Sequence, residues 1–192
     1  MTLSTAVKDV SFKRSFLNRI HFVPWTSFFA IMYAALFIAL ASQVKIKLPF
    51  TPVLLTGQTF AVMLAGALLG SRRGALAAVV YLAQGALGMP VWANGASSMS
   101  YLMTPVGGYY FAFILQAYMT GIIAKSTSTS SVYTFLMLLV TCSVHLSLGS
   151  VWLGMGLGMD FGWGKALVAG FVPFIPGEIV KCLMITWYLK KA

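Results

Sequence analysis

Apolar runs long enough to cross a bilayer follow one another from Trp25 almost to the end of this chain, and they constrain its fold more than any other feature. A spanning helix needs about 20 apolar residues. Lipid offers no partner for a backbone N–H or C=O, so such runs must be helices or a closed barrel. Of the 192 residues, 59% are hydrophobic and 8% charged, against about 25% charged in soluble domains. With 13 Lys+Arg and 3 Asp+Glu, the chain cannot cover the surface of a water-soluble globule. Disorder is excluded as well, because it requires low hydrophobicity. What remains is an all-α integral membrane protein of one compact domain, a bundle of six transmembrane helices.

Residues 1–24 are polar and basic, with Lys8, Lys13, Arg14 and Arg19. They read as a cytoplasmic arm ahead of a membrane domain over 25–192. The spans are Trp25–Val44, Val53–Leu69, Ala75–Leu87, Val106–Ala124 and Val132–Leu153, with a last helix from about Pro176. Pro49 and Pro52 forbid a regular helix in the first loop. Gly70 to Gly74 reads as a tight basic turn, Gly88 to Pro105 as a long loop, and Lys125 to Ser131 as a polar connector. Gly154 to Gly164 is glycine-rich around Asp160, and residues 166–174 form a lead-in to the last helix. Pro176 suits a first helical turn, where its missing N–H costs nothing. Ala39-Leu40-Ala41 resembles a signal-peptidase site, but the polar arm before it is long and the chain stays apolar after it, which argues against cleavage.

Six spans put both termini on one side, and the positive-inside rule selects the cytoplasm. In that orientation nine of the 13 Lys and Arg lie inside, three (Lys45, Lys47, Lys165) outside, and Lys181 within a span. The net charge of +10 does not indicate a nucleic-acid partner, because the basic residues form small clusters between apolar runs and no stripe.

An ionisable group inside a membrane is costly and therefore points to function. One segment qualifies, Pro173-Phe174-Ile175-Pro176-Gly177-Glu178-Ile179-Val180-Lys181. Glu178 and Lys181 are three apart and share a helix face. Glu178 falls in the first turn, where free N–H groups favour an anion. The pair either neutralises itself or meets a carboxylate ligand through Lys181, with Glu178 accepting donors. The loops supply Thr56, Gln58, Trp92, Asn94 and the Gly107-Gly108-Tyr109-Tyr110 run, where backbone can approach a ligand closely. Each also has a plainer reading: an interfacial belt for the aromatics, a turn residue for Asn94, helix–helix bonding for Gln58. Ala30-x-x-x-Ala34, Ala35-x-x-x-Ala39 and Ala61-x-x-x-Ala65 let helices approach, most simply within the chain, or against a partner membrane subunit if the first span faces outward. Cys142 and Cys182 lie in apolar runs as lipid-facing or core thiols, and His145 reads as a span-core histidine. No Gly-rich loop ending in Lys-Ser/Thr offers a nucleoside triphosphate site.

The run from Leu48-Pro49-Phe50-Thr51-Pro52 through Thr56-Gly57-Gln58-Thr59 to Gly70 resembles the BioY family of biotin transporters, the substrate-binding components of energy-coupling factor systems. Arg72-Arg73-Gly74-Ala75, Gly88-Met89-Pro90-Val91-Trp92, Pro105-x-Gly107-Gly108-Tyr109 and the Pro173–Lys181 motif extend the resemblance over about residues 30–190. It implies six helices around an outward-opening biotin pocket in the plasma membrane. It also implies action either with a transmembrane coupling subunit and two ATPases or without dedicated partners. Biotin would be the transported ligand, with no cofactor. The family's motifs map onto Gly107, Gly108 and Tyr109, and onto Gly177, Glu178 and Lys181. Glu178 stands where the family usually has Asp, Trp92 where it has Phe, and Thr104 where it has Gly. On this reading Lys181 meets the biotin carboxylate. Glu178, Asn94 and Gln58 serve the ureido group, and Trp92 and Tyr109 pack the apolar body. Other readings are a transporter for another small carboxylate vitamin, a membrane-embedded enzyme and a purely structural subunit. An enzyme needs a converging base or metal cluster, and three carboxylates leave little material for one.

Overall fold

The structure, a computed structural model, describes residues 25–49, 51–126, 130–155 and 162–191. The basic arm over 1–24 and the surroundings of Asp160 lie outside the described residues. Helix dominates. In chain order come α1 (Trp25–Gln43), β1 (Lys45–Ile46), β2 (Leu55–Thr56), α2 (Gln58–Leu69), α3 (Ser71–Ala86), α4 (Gly107–Lys125), α5 (Ser131–Gly154), α6 (Gly162–Gly170) and α7 (Ile175–Lys191). Among the described residues three segments are each long and apolar enough to cross a membrane: α1, α5, and the stretch from Gly162 to Lys191 that joins α6 and α7 through a 3-10 turn at Val172–Phe174.

The ends of α1, α4 and α5 fall within a residue or so of those expected from the apolar runs. The starts of α2 and α3 differ, α3 beginning at Ser71 rather than Ala75. A helix was expected from Val53, but it begins at Gln58 and has 12 residues, about 18 Å. Residues 53–57 are taken by a small hairpin instead. Lys45 pairs with Thr56 and Ile46 with Leu55, and the Gly57 N–H donates to the Val44 carbonyl at 2.9 Å. The expected basic turn also shrinks to a single residue. Gly70, at φ +79°, turns the chain, and Arg72 and Arg73 already belong to α3. The long loop over 88–105 is not irregular throughout, since it carries 3-10 turns at Ala93–Gly95 and Met99–Met103.

α4 is the centre of the packing, with α2, α3 and α5 laid against it. Its Tyr110, Phe113 and Ala117 join Ile38 of α1, Val62 of α2 and Tyr81 of α3 in one buried cluster. Ala35, Ala39, Ala61 and Ala65 face inward, so these two pairs serve packing within the chain, while Ala30 and Ala34 are half-buried. The opposite faces are apolar too. Trp25, Phe28, Phe29, Tyr33 and Leu36 of α1 are exposed, as are Leu183, Met184 and Trp187 of α7. Exposed apolar surface on this scale belongs against lipid, and the protein is a membrane protein. Cys142 and Cys182 are core thiols, both free, with their sulfurs 3.4 Å apart between α5 and α7.

Candidate functional site

A cavity of about 380 Å³ lies among α2, α4, α5 and α7, roofed by the β1–β2 hairpin and the loop before α4. Six of the eight residues singled out in the sequence line it: Thr56, Gln58, Asn94, Tyr109, Glu178 and Lys181.

Glu178 and Lys181 form its most polar part. α7 starts at Ile175 and puts both on the inward face one turn apart. Glu178 is 3% exposed. Its Oε1 accepts from Lys181 Nζ at 2.8 Å and from the Thr59 hydroxyl at 2.8 Å. Lys181 also donates to the Thr59 oxygen, so ammonium, hydroxyl and carboxylate close a triangle between α7 and α2. Glu178 Oε2 has no partner among the described residues. Burying an ion pair repays its desolvation only with added hydrogen bonds, and Thr59 supplies them. Replacing Thr59 with Val should lower stability by about 1–2 kcal/mol, since both a donor and an acceptor are lost from a buried polar group. Thermal unfolding of the purified variant checks this, and an unchanged midpoint would show that the hydroxyl contributes nothing.

Gln58 begins α2 with both ends of its amide engaged. Its Oε1 accepts from the Thr56 hydroxyl at 2.8 Å, and its Nε2 donates to the Tyr81 oxygen at 2.6 Å. It braces one wall of the cavity. Tyr109 turns its ring to the cavity and donates its hydroxyl to the Gly170 carbonyl at 2.8 Å. Asn94 is exposed at the rim, in the left-handed region at φ 63°, which Asn tolerates better than most residues. Lys47, at the end of the hairpin, adds a second ammonium to the lining. Two cations and one carboxylate give the cavity a field that favours anions.

Trp92 and Gly108 do not line it. Trp92 is fully buried behind the wall, its ring centroid 5.5 Å from that of Tyr101 and 5.0 Å from that of Tyr110, and those two tyrosines form the surface. Gly108 packs against Trp152, where a Cβ would collide with the Trp152 side chain, so its role is to seat α5 on α4. The adjacent loop is held by Trp152 Nε1, which donates to the Thr104 carbonyl at 3.0 Å.

The sequence reading missed Thr59, Tyr101, Phe113, His145 and Phe174 as lining residues. Thr59 had a signal: it follows Gln58 inside the motif that carries the resemblance. His145 had none beyond being polar in an apolar span. It is 3% exposed and stacks on Phe113, with centroids 5.0 Å apart and planes at 10°. Burial pushes the Tyr101 phenol up from its ordinary value.

Residues 14–192 match the family model described as the BioY family. A protein of Rhizobium etli called biotin transporter BioY is 33% identical over 161 residues, covering 80% of this chain and 84% of that one. Another so named, from Thermotoga maritima, is 33% identical over 161 residues, covering 76% and 86%. One from Lactococcus lactis, biotin transporter BioY2, is 31% identical over 156 residues, covering 81% and 84%. Among solved structures, an S-component for biotin from an ECF-type ABC transporter superposes with a TM-score of 0.76. It is 22% identical, and the match covers 100% of this chain and 93% of that one. That likeness shows the fold.

Proposed function

The chain belongs to the BioY family, and from that premise we propose that it binds biotin and mediates its uptake across a membrane. It is a transporter and not an enzyme. The observation that carries the reading at this site is the buried Glu178–Thr59–Lys181 triangle opening on a cavity of mixed polar and aromatic lining. The cavity's volume falls in the range of roughly 300–1,000 Å³ typical of small-molecule sites.

Biotin carries a carboxylate at one end and a ureido ring with two N–H donors and one carbonyl at the other. Lys181 and Glu178 are 2.8 Å apart and so serve the same end. A ligand carboxylate there would place two buried anions beside one ammonium, an arrangement opposed by repulsion and desolvation. The ureido group fits better. Its carbonyl accepts from Lys181 and one N–H donates to Glu178. This supports giving the carboxylate to the wetter rim, with Lys47 and Asn94, rather than to Lys181. Tyr109, Phe113 and Phe174 pack the thioether ring and the chain between them.

The proposed setting is a plasma membrane crossed six times with both termini inside, the cavity opening outward. The basic residues favour that orientation. The proposed partners are a transmembrane coupling subunit and two ATPases, since the sequence offers no phosphate-binding loop of its own. Labelled biotin titrated onto the purified chain tests the ligand, and uptake by cells with and without the coupling proteins tests the partnership. Saturable one-site binding displaced by unlabelled biotin is the expected result. Absence of saturable binding, or displacement by another carboxylate vitamin at far lower concentration than by biotin, would overturn it. Uptake that never responds to the coupling proteins would remove them from the proposal.

A further inference from the structure

Two buried polar atoms on cavity-lining residues have no partner among the described residues: Glu178 Oε2, and His145 Nδ1, which is an acceptor when Nε2 carries the imidazole proton. The other unpartnered buried polar atoms, Trp92 Nε1 and Gln116 Oε1, belong to residues outside the lining. Buried polar atoms in folded proteins are nearly always bonded, so each exception needs a reason. The two cavity acceptors sit on different helices, α7 and α5. The His145 ring is held flat on Phe113, with Tyr109 on another side at 5.9 Å between centroids.

We propose that His145 is a specificity-determining residue of the ligand site, its Nδ1 accepting a hydrogen bond from one ureido N–H while Glu178 Oε2 accepts from the other. This rests on biotin being the ligand and on the ureido end meeting α7. Two unpartnered acceptors match two donors in number and kind, and the Lys181 ammonium, with a third N–H beyond those given to Glu178 and Thr59, remains for the ureido carbonyl. A site built to hydrogen-bond an N–H rejects an analogue that lacks it far more strongly than an apolar pocket rejects an extra methylene. His145 thus turns a greasy wall into one that reads the ligand's polar ring.

The test compares biotin with its two ureido N-methyl isomers on the wild-type chain, on His145→Phe, which keeps the stacking ring, and on His145→Asn, which returns an acceptor near the Nδ1 position. His145→Phe should weaken biotin binding about 10-fold or more, leave one N-methyl isomer's affinity unchanged, and be largely corrected in His145→Asn. Biotin binding to His145→Phe within twofold of wild type overturns the proposal, as does an equal loss for biotin and both isomers. A measurement on the native side chain covers the case in which Phe prevents folding. In protein labelled with 15N-histidine and carrying His21→Gln, biotin should move the Nδ1 resonance, and an unmoved resonance overturns the assignment. A wild-type chain that binds no biotin defeats the functional reading itself, an outcome separate from these.

Discussion

Replacing Lys181 with Met lowers biotin affinity about 100-fold or more, the larger of the two strongest effects expected here. Two losses combine. The ligand forfeits a charge-assisted hydrogen bond of about 1.5–3 kcal/mol. The protein also keeps Glu178 buried at 3% exposure with its cation gone, and breaking a buried pair on one side costs about 3–5 kcal/mol. Part of the second loss falls on stability rather than binding, and a second variant separates the two. Glu178→Gln combined with Lys181→Met removes the stranded charge, so its unfolding temperature should recover toward wild type while its biotin affinity stays low. Titration with labelled biotin and thermal unfolding in detergent check both halves. An affinity for Lys181→Met equal to wild type would remove Lys181 from the site.

Replacing Trp92 with Ala lowers the protein's stability by several kcal/mol without touching the cavity lining itself. Trp92 heads the fully buried side chains by size. It packs on Tyr101 and Tyr110 and lies so close over Gly85 that a Cβ there would run into the indole. Deleting a buried Trp costs about 3–5 kcal/mol through lost transfer energy and the cavity left behind. Tyr101 and Tyr110 would sink into the gap, and both line the ligand cavity, so biotin affinity falls as a consequence. Trp92→Phe keeps a ring over Gly85 and should cost much less. The pair is checked by unfolding midpoints and biotin titration. A Trp92→Ala protein as stable as wild type would place the residue outside the core packing.

The polar heart of the site was legible because charge within a span is costly and rare. Glu178 and Lys181 stand out in an apolar run, and their spacing of three fixes them on one face of α7 wherever that helix sits. The lining role of Gln58, Thr56, Asn94 and Tyr109 followed from polar groups near span ends. Trp92 and Gly108 carried equal weight in the sequence but lie behind the wall, since an aromatic or a glycine reads alike whether it faces a ligand or a neighbouring helix. The start of α2 was misread because a run of apolar residues does not reveal that residues 55–57 bond across to the end of α1.

What the sequence determined by itself was the solvent and the element type: runs this apolar belong in lipid, and lipid leaves the backbone little choice but helix. It also determined where a buried charge pair must lie. Only the tertiary structure decided which face of each helix turns inward, and with it the company of Thr59, His145 and Phe113 around the cavity. The physical reason is that a membrane helix is apolar on both its packed and its lipid-facing sides. The 3.6-residue contrast that marks the core face of a soluble helix is therefore missing, and the choice falls to side-chain packing against neighbours distant in sequence.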